Sequence, residues 1–158
     1  MSAHVTLVPM TRELIHRLYS AFENDPDIYL DLQDYTEYVY NQKAVDNRFD
    51  ALQTPERVVF AIMLDGAPIG ELQLKRINRE RSDCTLSIHM QNDRVKNRGF
   101  GTEAEKLAIR YAFDVLQLDA VNADAILKNT RSQHVLEKAG FAFCREDDTF
   151  RYYRAENT

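Results

Sequence analysis

A glycine turn is the first segment of the chain whose residue types could do chemistry. It covers residues 96–102, has the sequence KNRGFGT, and stands between a predicted strand and a long predicted helix. The first N–H groups of a helix have no partner inside it, and the helix dipole makes that end positive. Glycine lets a phosphate approach the backbone, and Lys96 and Arg98 add charge. The turn therefore predicts a pyrophosphate cradle, although Gly-x-Gly also occurs in plain tight turns.

Two familiar nucleotide motifs do not fit this turn. The dinucleotide fingerprint needs a third glycine three residues after Gly101, where this chain has Ala104. The P-loop needs a lysine between its last glycine and Ser/Thr, whereas Thr102 follows Gly101 directly. Both classes of nucleotide-binding protein are therefore excluded.

A second polar segment, residues 129–141, has the sequence NTRSQHVLEKAGF. Thr130 followed by Gln133 predicts a capping box, and Gly140 predicts the end of the helix. Asn129 and Ser132 could act on a ligand. Each also has a plain structural interpretation, Asn129 as a capping residue and Ser132 as a residue packed in the first turn.

The elements that must position these segments follow from the apolar periodicity. It predicts strands over Val5–Pro9, Arg57–Leu64, Pro68–Ile77, Thr85–Met90, Ala120–Leu127, Phe141–Cys144 and Thr149–Arg154. Helices are predicted from Thr11 to the break at Asp25, from Tyr38 to Leu52, from Gly101 to Leu118, and from Thr130 to Gly140. The order β-α-α-β-β-β-α-β-α-β-β predicts an α/β (α+β) fold with a mixed, mostly antiparallel sheet.

Composition limits the function classes. The chain has 158 residues, 44% hydrophobic and 28% charged, as expected for one folded domain. A net charge of −5 argues against nucleic acid as the main partner. The first residues do not form a secretory signal, and no apolar run nears the ~20 residues of a membrane span. Two cysteines and four scattered histidines favour free thiols and no metal site. We therefore expect a cytoplasmic protein.

Together the two polar segments resemble the signatures of the GNAT superfamily of N-acetyltransferases. The turn is similar to (Gln/Arg)-x-x-Gly-x-(Gly/Ala), with Lys96 in the first position. Asn-x-x-Ser before a helix that ends in Glu-Lys-x-Gly-Phe is similar to the RimJ/RimL-like branch, and polyamine acetyltransferases share much of it. The resemblance runs from about Val58 to Phe141; before it, only the general layout is similar. It implies one acyl-CoA N-acyltransferase domain over residues 1–158.

The resemblance implies acetyl-CoA as the cosubstrate. The strand Thr85–Met90 would splay from the strand Val121–Leu127 and leave a slot for the pantetheine arm. The residues implied to contact the cosubstrate are Ile88, Met90, Val95, Lys96, Arg98, Gly99, Phe100, Gly101, Thr102 and Asn129.

The implied reaction is direct attack of an amine on the thioester, which requires a proton acceptor and a proton donor. Many family members carry a tyrosine donor where this chain has Leu136, so Ser132, with Asn129 beside it, is the candidate donor. The acceptor stays open between Glu71 and His89, with Tyr152 and Glu146 as further candidates, and a water relay could make a base unnecessary. Glu71 and His89 could instead be ordinary strand residues.

The amine would bind in an acidic, aromatic segment. Residues 23–40 contain six Asp or Glu, four Tyr and no Lys or Arg. The resemblance places this segment at the acceptor site, where Tyr29, Asp31, Asp34 and Tyr35 would suit a polyamine, an aminoglycoside-like compound or a peptide N-terminus. The alternative is a solvated acidic loop.

The sequence is compatible with two functions from different classes. The first is an active N-acetyltransferase, with a possible homodimer as its assembly. The second is a non-catalytic CoA-binding sensor or interaction module, which the missing tyrosine at Leu136 would suit. Turnover of any amine separates the two.

Overall fold

The computed structural model of the chain describes residues 4–23, 37–92 and 98–158. Its strands are β1 (Thr6–Pro9), β2 (Val58–Leu64), β3 (Ala67–Asn78), β4 (Asp83–Met90), β5 (Ala120–Ile126), β6 (Ala142–Glu146) and β7 (Phe150–Glu156). Its helices are α1 (Arg12–Ser20), α2 (Gln42–Ala51), α3 (Phe100–Asp114) and α4 (Thr130–Ala139). The predicted order of elements is confirmed.

The strands form one seven-stranded sheet in the order β1-β2-β3-β4-β5-β7-β6. Every neighbouring pair is antiparallel except β4 and β5, which run parallel. A parallel pair needs a crossover, and α3 supplies it. The prediction of a mixed, mostly antiparallel sheet is confirmed.

The two faces of the sheet carry different helices. Phe60 and Ile62 of β2 belong to a core that α3 and α4 cover, whereas Ala61, between them, belongs to a smaller core under α1 and α2. This alternation is the period-two pattern of a strand buried on both sides. The helix pairs thus enclose the sheet, and each face has its own buried groups.

The beginnings of the first two helices show what sequence patterns can and cannot locate. Thr11 caps α1 as predicted, because its Oγ1 accepts the Leu14 N–H at 3.1 Å. The prediction that α2 begins at Tyr38 is wrong. Asn41 is its cap and accepts the Ala44 N–H at 2.9 Å, so the helix begins at Gln42.

The end of α3 also differs from the prediction, which extended one apolar face to Val115 and Leu118. The helix ends at Asp114, and Val115 is 59% exposed. The chain then turns through Gln117, whose φ is 60°, and returns Leu118 to the core at 1% exposure. Leu118 is therefore a core residue, but of a loop.

The predicted capping box of α4 is wrong as well. The cap is Asn129 rather than Thr130. Gln133 is buried and donates its amide to the carbonyl oxygens of Ile126 and Leu127, at 3.1 and 2.9 Å. It therefore ties the helix to the end of β5 and does not close a box. Leu127, predicted inside the strand, follows it and is 36% exposed.

The separation of β4 from β5 creates the site. The strands pair only at Asp83–Ala120, Cys84–Val121 and Thr85–Asn122. β4 continues to Met90 and β5 to Ile126, and these described residues form no further pair. The predicted splayed strand pair is thereby confirmed, and it leaves one edge of β4 open.

Candidate functional site

A cavity of about 770 Å³ lies where β4 and β5 separate, and the N-terminal ends of α3 and α4 border it. It brings together residues that are far apart in sequence. The sequence-predicted residues that line it are Ile88, His89, Met90, Gly99, Gly101, Thr102, Asn129 and Ser132. The glycine turn and the second polar segment therefore face one common space.

The glycine turn has the geometry of an anion site. Gly99 is the N-cap of α3, its φ is 82°, and no side chain of the described residues caps the helix. The first helical bond runs from the Glu103 N–H to the Gly99 carbonyl at 3.0 Å. The N–H groups of Phe100, Gly101 and Thr102 precede that bond and have no acceptor in the helix. Together with the helix dipole they favour a phosphate.

Other predicted residues of the turn play different parts. Phe100 is 4% exposed and belongs to the core, so its side chain anchors the turn and does not line the cavity. Arg98 is exposed, with its guanidinium carbon 5.1 Å from the centre of the Phe100 ring. Val95 and Lys96 lie outside the described residues.

The sequence analysis missed a group of basic side chains on the cavity wall. Lys106 of α3 lines it, and so do Arg131, His134 and Lys138 of α4. The last three recur at intervals of three and four residues, the spacing of one helix face. This spacing is the signal in the sequence that could have predicted a basic face on α4. A locally basic wall in a chain of net charge −5 supports binding of an anionic ligand.

Asn129 and Ser132 are coupled at the start of α4. The Asn129 Oδ1 accepts the Ser132 N–H at 3.0 Å, which is the capping interaction that the sequence left as an alternative. Both residues also line the cavity. The cap therefore fixes the first turn of α4, and Ser132 with it, against the space for a ligand.

The two candidate proton acceptors lie opposite each other on neighbouring strands, Glu71 in β3 and His89 in β4. His89 is half-buried and lines the cavity. Glu71 is 0% exposed and is not part of the lining. Its Oε1 accepts the Tyr19 hydroxyl at 3.0 Å, and its Oε2 accepts Arg48 Nη2 at 2.6 Å and Gln73 Nε2 at 2.7 Å. Both carboxylate oxygens of Glu71 are thus engaged on the α1–α2 side.

The acceptor residues predicted from the acidic segment, Tyr29, Asp31, Asp34 and Tyr35, lie outside the described residues. Its described beginning reaches the site, because Phe22 and Glu23 line the cavity. Its described end packs nearby, with the Tyr38 ring centroid 5.4 Å from that of Phe22. One carboxylate and a cluster of rings therefore stand at this side of the cavity.

A buried acid on the cavity wall, Glu105 of α3, was also missed. It borders the cavity and is 1% exposed, and its Oε2 has no hydrogen-bond partner among the residues that the structure describes. Burial raises the pKa of this carboxyl group to about 8. No sequence signal marked it, because a glutamate inside an amphipathic helix is normally solvated.

Two further properties concern the described residues alone. Among them there is no group of three or more His, Cys, Asp or Glu side chains that could hold a metal ion. No helix in residues 4–23, 37–92 or 98–158 is long and apolar enough to cross a membrane.

With the site described, comparison with known proteins decides the family. The profile of the acetyltransferase (GNAT) domain matches residues 4–142. The chain belongs to this family. This membership confirms the prediction of an acetyl-CoA-dependent N-acetyltransferase.

Two curated relatives carry names of the same kind. The chain is 30% identical over 110 residues to "Probable N-acetyltransferase YjcK" of Bacillus subtilis (strain 168), which covers 68% of this chain and 61% of that protein. It is 27% identical over 153 residues to the spermidine N(1)-acetyltransferase of Escherichia coli (strain K12), covering 89% of this chain and 75% of the relative.

A solved structure confirms the fold. The crystal structure of spermidine N-acetyltransferase from Vibrio cholerae in complex with CoA and spermine superposes with a TM-score of 0.76 at 14% identity. The match covers 97% of this chain and 95% of the other. The two chains therefore share the same overall fold.

Proposed function

We propose that this GNAT acetyltransferase acts in the cavity between the separated strands, where it moves the acetyl group of acetyl-CoA to a cationic amine. The observation that carries the proposal is the shared cavity. The open edge of β4, the uncapped start of α3 and the capped start of α4 all border it. These three features provide a place for a thioester arm, for a pyrophosphate and for polar groups around the reacting atoms.

The first turn of α3 would hold the pyrophosphate. The N–H groups of Gly101 and Thr102 lie in the first turn of α3, which borders the cavity, and the exposed cation of Arg98 precedes them in the chain. Gly101 leaves room, since even a Cβ there would meet only Val135 Cγ1 at 3.6 Å. Val95 and Lys96 are included in the proposed pyrophosphate site on the basis of the sequence alone.

The open edge of β4 would hold the pantetheine arm. Beyond Thr85 the described residues of β5 no longer pair with β4, so backbone groups around Ile88 and Met90 can bond an amide-bearing chain. Asn129, at the end of the facing strand, borders the same space. One of the β4 N–H groups can also stabilise the oxygen of the thioester carbonyl as charge develops on it.

The protein's own groups then manage two protons. An ammonium acceptor loses one proton to His89, directly or through water, and the proton leaves to solvent. The nitrogen lone pair attacks the thioester carbon, the C–N bond forms and the C–S bond breaks. The second proton of the nitrogen ends on the departing sulfur, relayed by the Ser132 hydroxyl. No enzyme nucleophile is needed, and positioning carries most of the catalysis.

His89 is preferred to Glu71 as the acceptor of the first proton. His89 lines the cavity, and an imidazole exchanges protons near neutral pH. Glu71 is buried away from the lining, and its oxygens are engaged by Tyr19, Arg48 and Gln73. Glu71 therefore has a positioning part, because its hydrogen bonds tie α1 and α2 to β3.

The amine is proposed to be a polyamine or a similar multiply charged compound. Glu23 lines the cavity, and the acidic segment with Tyr29, Asp31, Asp34 and Tyr35 continues from it in sequence. The spermidine N-acetyltransferases among the relatives support this choice. Replacing Asp31 and Asp34 by Asn is expected to raise the KM for spermidine severalfold while kcat changes little. An unchanged KM would remove this acceptor assignment.

The decisive experiment is calorimetric titration of acetyl-CoA. The native protein is expected to bind, and Gly101→Val is expected to lose binding because its side chain fills the first turn. Thermal unfolding of the variant shows whether it is folded. Arg98→Ala should weaken binding. Arg110 is an exposed arginine of α3 outside the cavity lining, so Arg110→Ala should not.

Absence of binding by the native protein would overturn the proposal, and binding without turnover of any amine would favour the CoA-binding sensor. The RimJ/RimL-like branch, the homodimer, the single domain over residues 1–158 and the cytoplasmic location remain predictions.

A further inference from the structure

The mechanism above leaves Glu105 without a part, although this residue borders the cavity. Its side chain is 1% exposed, and within residues 4–23, 37–92 and 98–158 its Oε2 has no hydrogen-bond partner. A buried carboxylate without a partner is costly, whereas a protonated carboxyl group is tolerated. Burial accordingly raises the pKa of Glu105 to about 8, and the group is mostly neutral at pH 7.

Glu105 lies next to the proposed pyrophosphate cradle. It follows Gly101 by four residues in α3, so the two share one face of the helix with about 6 Å between their Cβ positions. Side chains of a helix lean toward its N-terminus, which brings the carboxyl group closer to the first turn. A negative charge on Glu105 would therefore stand beside the place where the phosphates bind.

Other charged or titratable groups also border this cavity from the described elements. They are Glu23 after α1, His89 of β4, Glu103 and Lys106 of α3, and Arg131, His134 and Lys138 of α4. β1, which also packs on α3, has the sequence TLVP and contributes no charge. On β3 the buried acid Glu71 is held by Arg48 on the opposite face of the sheet. On β5 Asp124 is exposed and does not border the cavity.

We propose that acetyl-CoA binds the form of the protein in which Glu105 is protonated, so that this residue couples cosubstrate affinity to pH. The inference rests on the proposed function, since it needs the pyrophosphate at the start of α3. Phosphate charges and an ionised Glu105 repel each other across a short, poorly solvated distance. Bound phosphates therefore hold the proton on Glu105, and binding takes up a proton wherever the free protein has lost it.

The direction of the pH effect follows from this coupling. Below pH 7 Glu105 is protonated in both states, and its contribution to affinity is constant. As the pH rises through 8, the free protein ionises and binding must restore the proton, so affinity falls. A displacement of one pH unit in the titration of Glu105 corresponds to about a tenfold loss of affinity.

The first experiment uses the native protein alone. Acetyl-CoA is titrated calorimetrically at pH 8.5 in two buffers with different ionisation heats. The difference between the two observed binding enthalpies gives the number of protons taken up. About half a proton is expected. The acetyl-CoA phosphates are already fully ionised at this pH, so they contribute none of it. No uptake would overturn the inference.

The second experiment compares Kd at pH 7 and pH 9.5 in three proteins. The native protein should bind about tenfold more weakly at pH 9.5. Glu105→Gln, which keeps the shape but cannot ionise, should change less than twofold. Glu103→Gln is the matched control, a half-buried carboxylate of the same helix that also borders the cavity, and should behave as the native protein does.

If Glu105→Gln loses as much affinity as the native protein between pH 7 and pH 9.5, the effect comes from histidine or lysine side chains of the cavity wall. That result would overturn the inference. Thermal unfolding shows that each variant is folded, and the proton-uptake experiment needs no variant. If no protein binds acetyl-CoA even at pH 7, the proposed function fails. If binding occurs but does not depend on Glu105, only this inference fails.

Discussion

Glu71 and Glu105 are equally buried carboxyl groups on opposite sides of one sheet, yet their surroundings differ completely. Glu71 of β3, at 0% exposure, has Tyr19, Arg48 and Gln73 around its two oxygens. Glu105 of α3 borders the cavity at 1% exposure, and no described residue forms a hydrogen bond with its Oε2. The difference teaches that burial alone does not decide the part an acid plays. A paired acid such as Glu71 joins helices to the sheet. An unpaired acid such as Glu105 keeps its proton beside the proposed ligand site.

The largest expected effect tests whether Glu105 is protonated in the folded protein. Burial raises its pKa to about 8, against about 4.3 in an unfolded chain. A raised pKa means that the proton stabilises the folded state fully below pH 4.3, and that this stability is lost as the pH rises toward 8. Between pH 5 and pH 8.5, native protein should lose on the order of 4 kcal/mol relative to Glu105→Gln.

Urea unfolding of both proteins at the two pH values measures this difference. The comparison uses Glu105→Gln as its reference so that other titrating groups cancel. A difference in unfolding free energy that stays constant from pH 5 to pH 8.5 would mean that Glu105 resembles Glu71 and has found a partner.

The next effect concerns the paired acid. Arg48→Met removes the cation at 2.6 Å from Glu71 Oε2 and leaves a buried carboxylate. Removing one partner of a buried pair costs about 3–5 kcal/mol, and we expect about 2–3 kcal/mol because the Arg48 side chain is 38% exposed. The unfolding free energy in urea measures it, while the Kd for acetyl-CoA should stay within twofold.

The double variant Arg48→Met with Glu71→Leu is the control for this prediction. Removing both charges should restore much of the lost stability, because no unpaired charge remains. If the double variant is no more stable than Arg48→Met, the loss comes from packing of the arginine stem and the ion pair is unimportant.

The smallest effect compares the helix caps of the two sides. Thr11 caps α1 and Asn129 caps α4 with the same kind of hydrogen bond, at 3.1 and 3.0 Å. Thr11→Ala and Asn129→Ala should each cost about 1 kcal/mol of stability. Only Asn129 borders the cavity, so only Asn129→Ala should also weaken acetyl-CoA binding. Equal binding by both variants would make Asn129 purely a cap.

The fold was predictable because its signals are local. The apolar periodicity of strands and helices and the break at Asp25 predicted the order of all eleven elements. Boundaries were less certain where a cap competed with propensity, as at Asn41, or where a loop returned a residue to the core, as at Leu118. Both outcomes depend on tertiary contacts that a pattern of apolar residues does not contain.

The site was predictable in part for a similar reason. Gly99 and Asn129 carry backbone requirements that show in the sequence, since Gly99 has a φ of 82° and Asn129 caps a helix. Glu105 could not be found this way. Its spacing is that of any helical glutamate, and only the packing of α3 against the rest of the molecule removes it from water.

The sequence by itself therefore determined the order of elements, the glycine turn and the membership of the GNAT family, because these depend on residue type and spacing. The tertiary structure alone decided which polar groups are neighbours. It placed Arg48 against Glu71, arranged the basic face of α4 along the cavity, and left Glu105 Oε2 without a hydrogen-bond partner in the described part of the chain. The physical reason is that the charge state of an acid follows from its distance to partners and to water, and folding sets both.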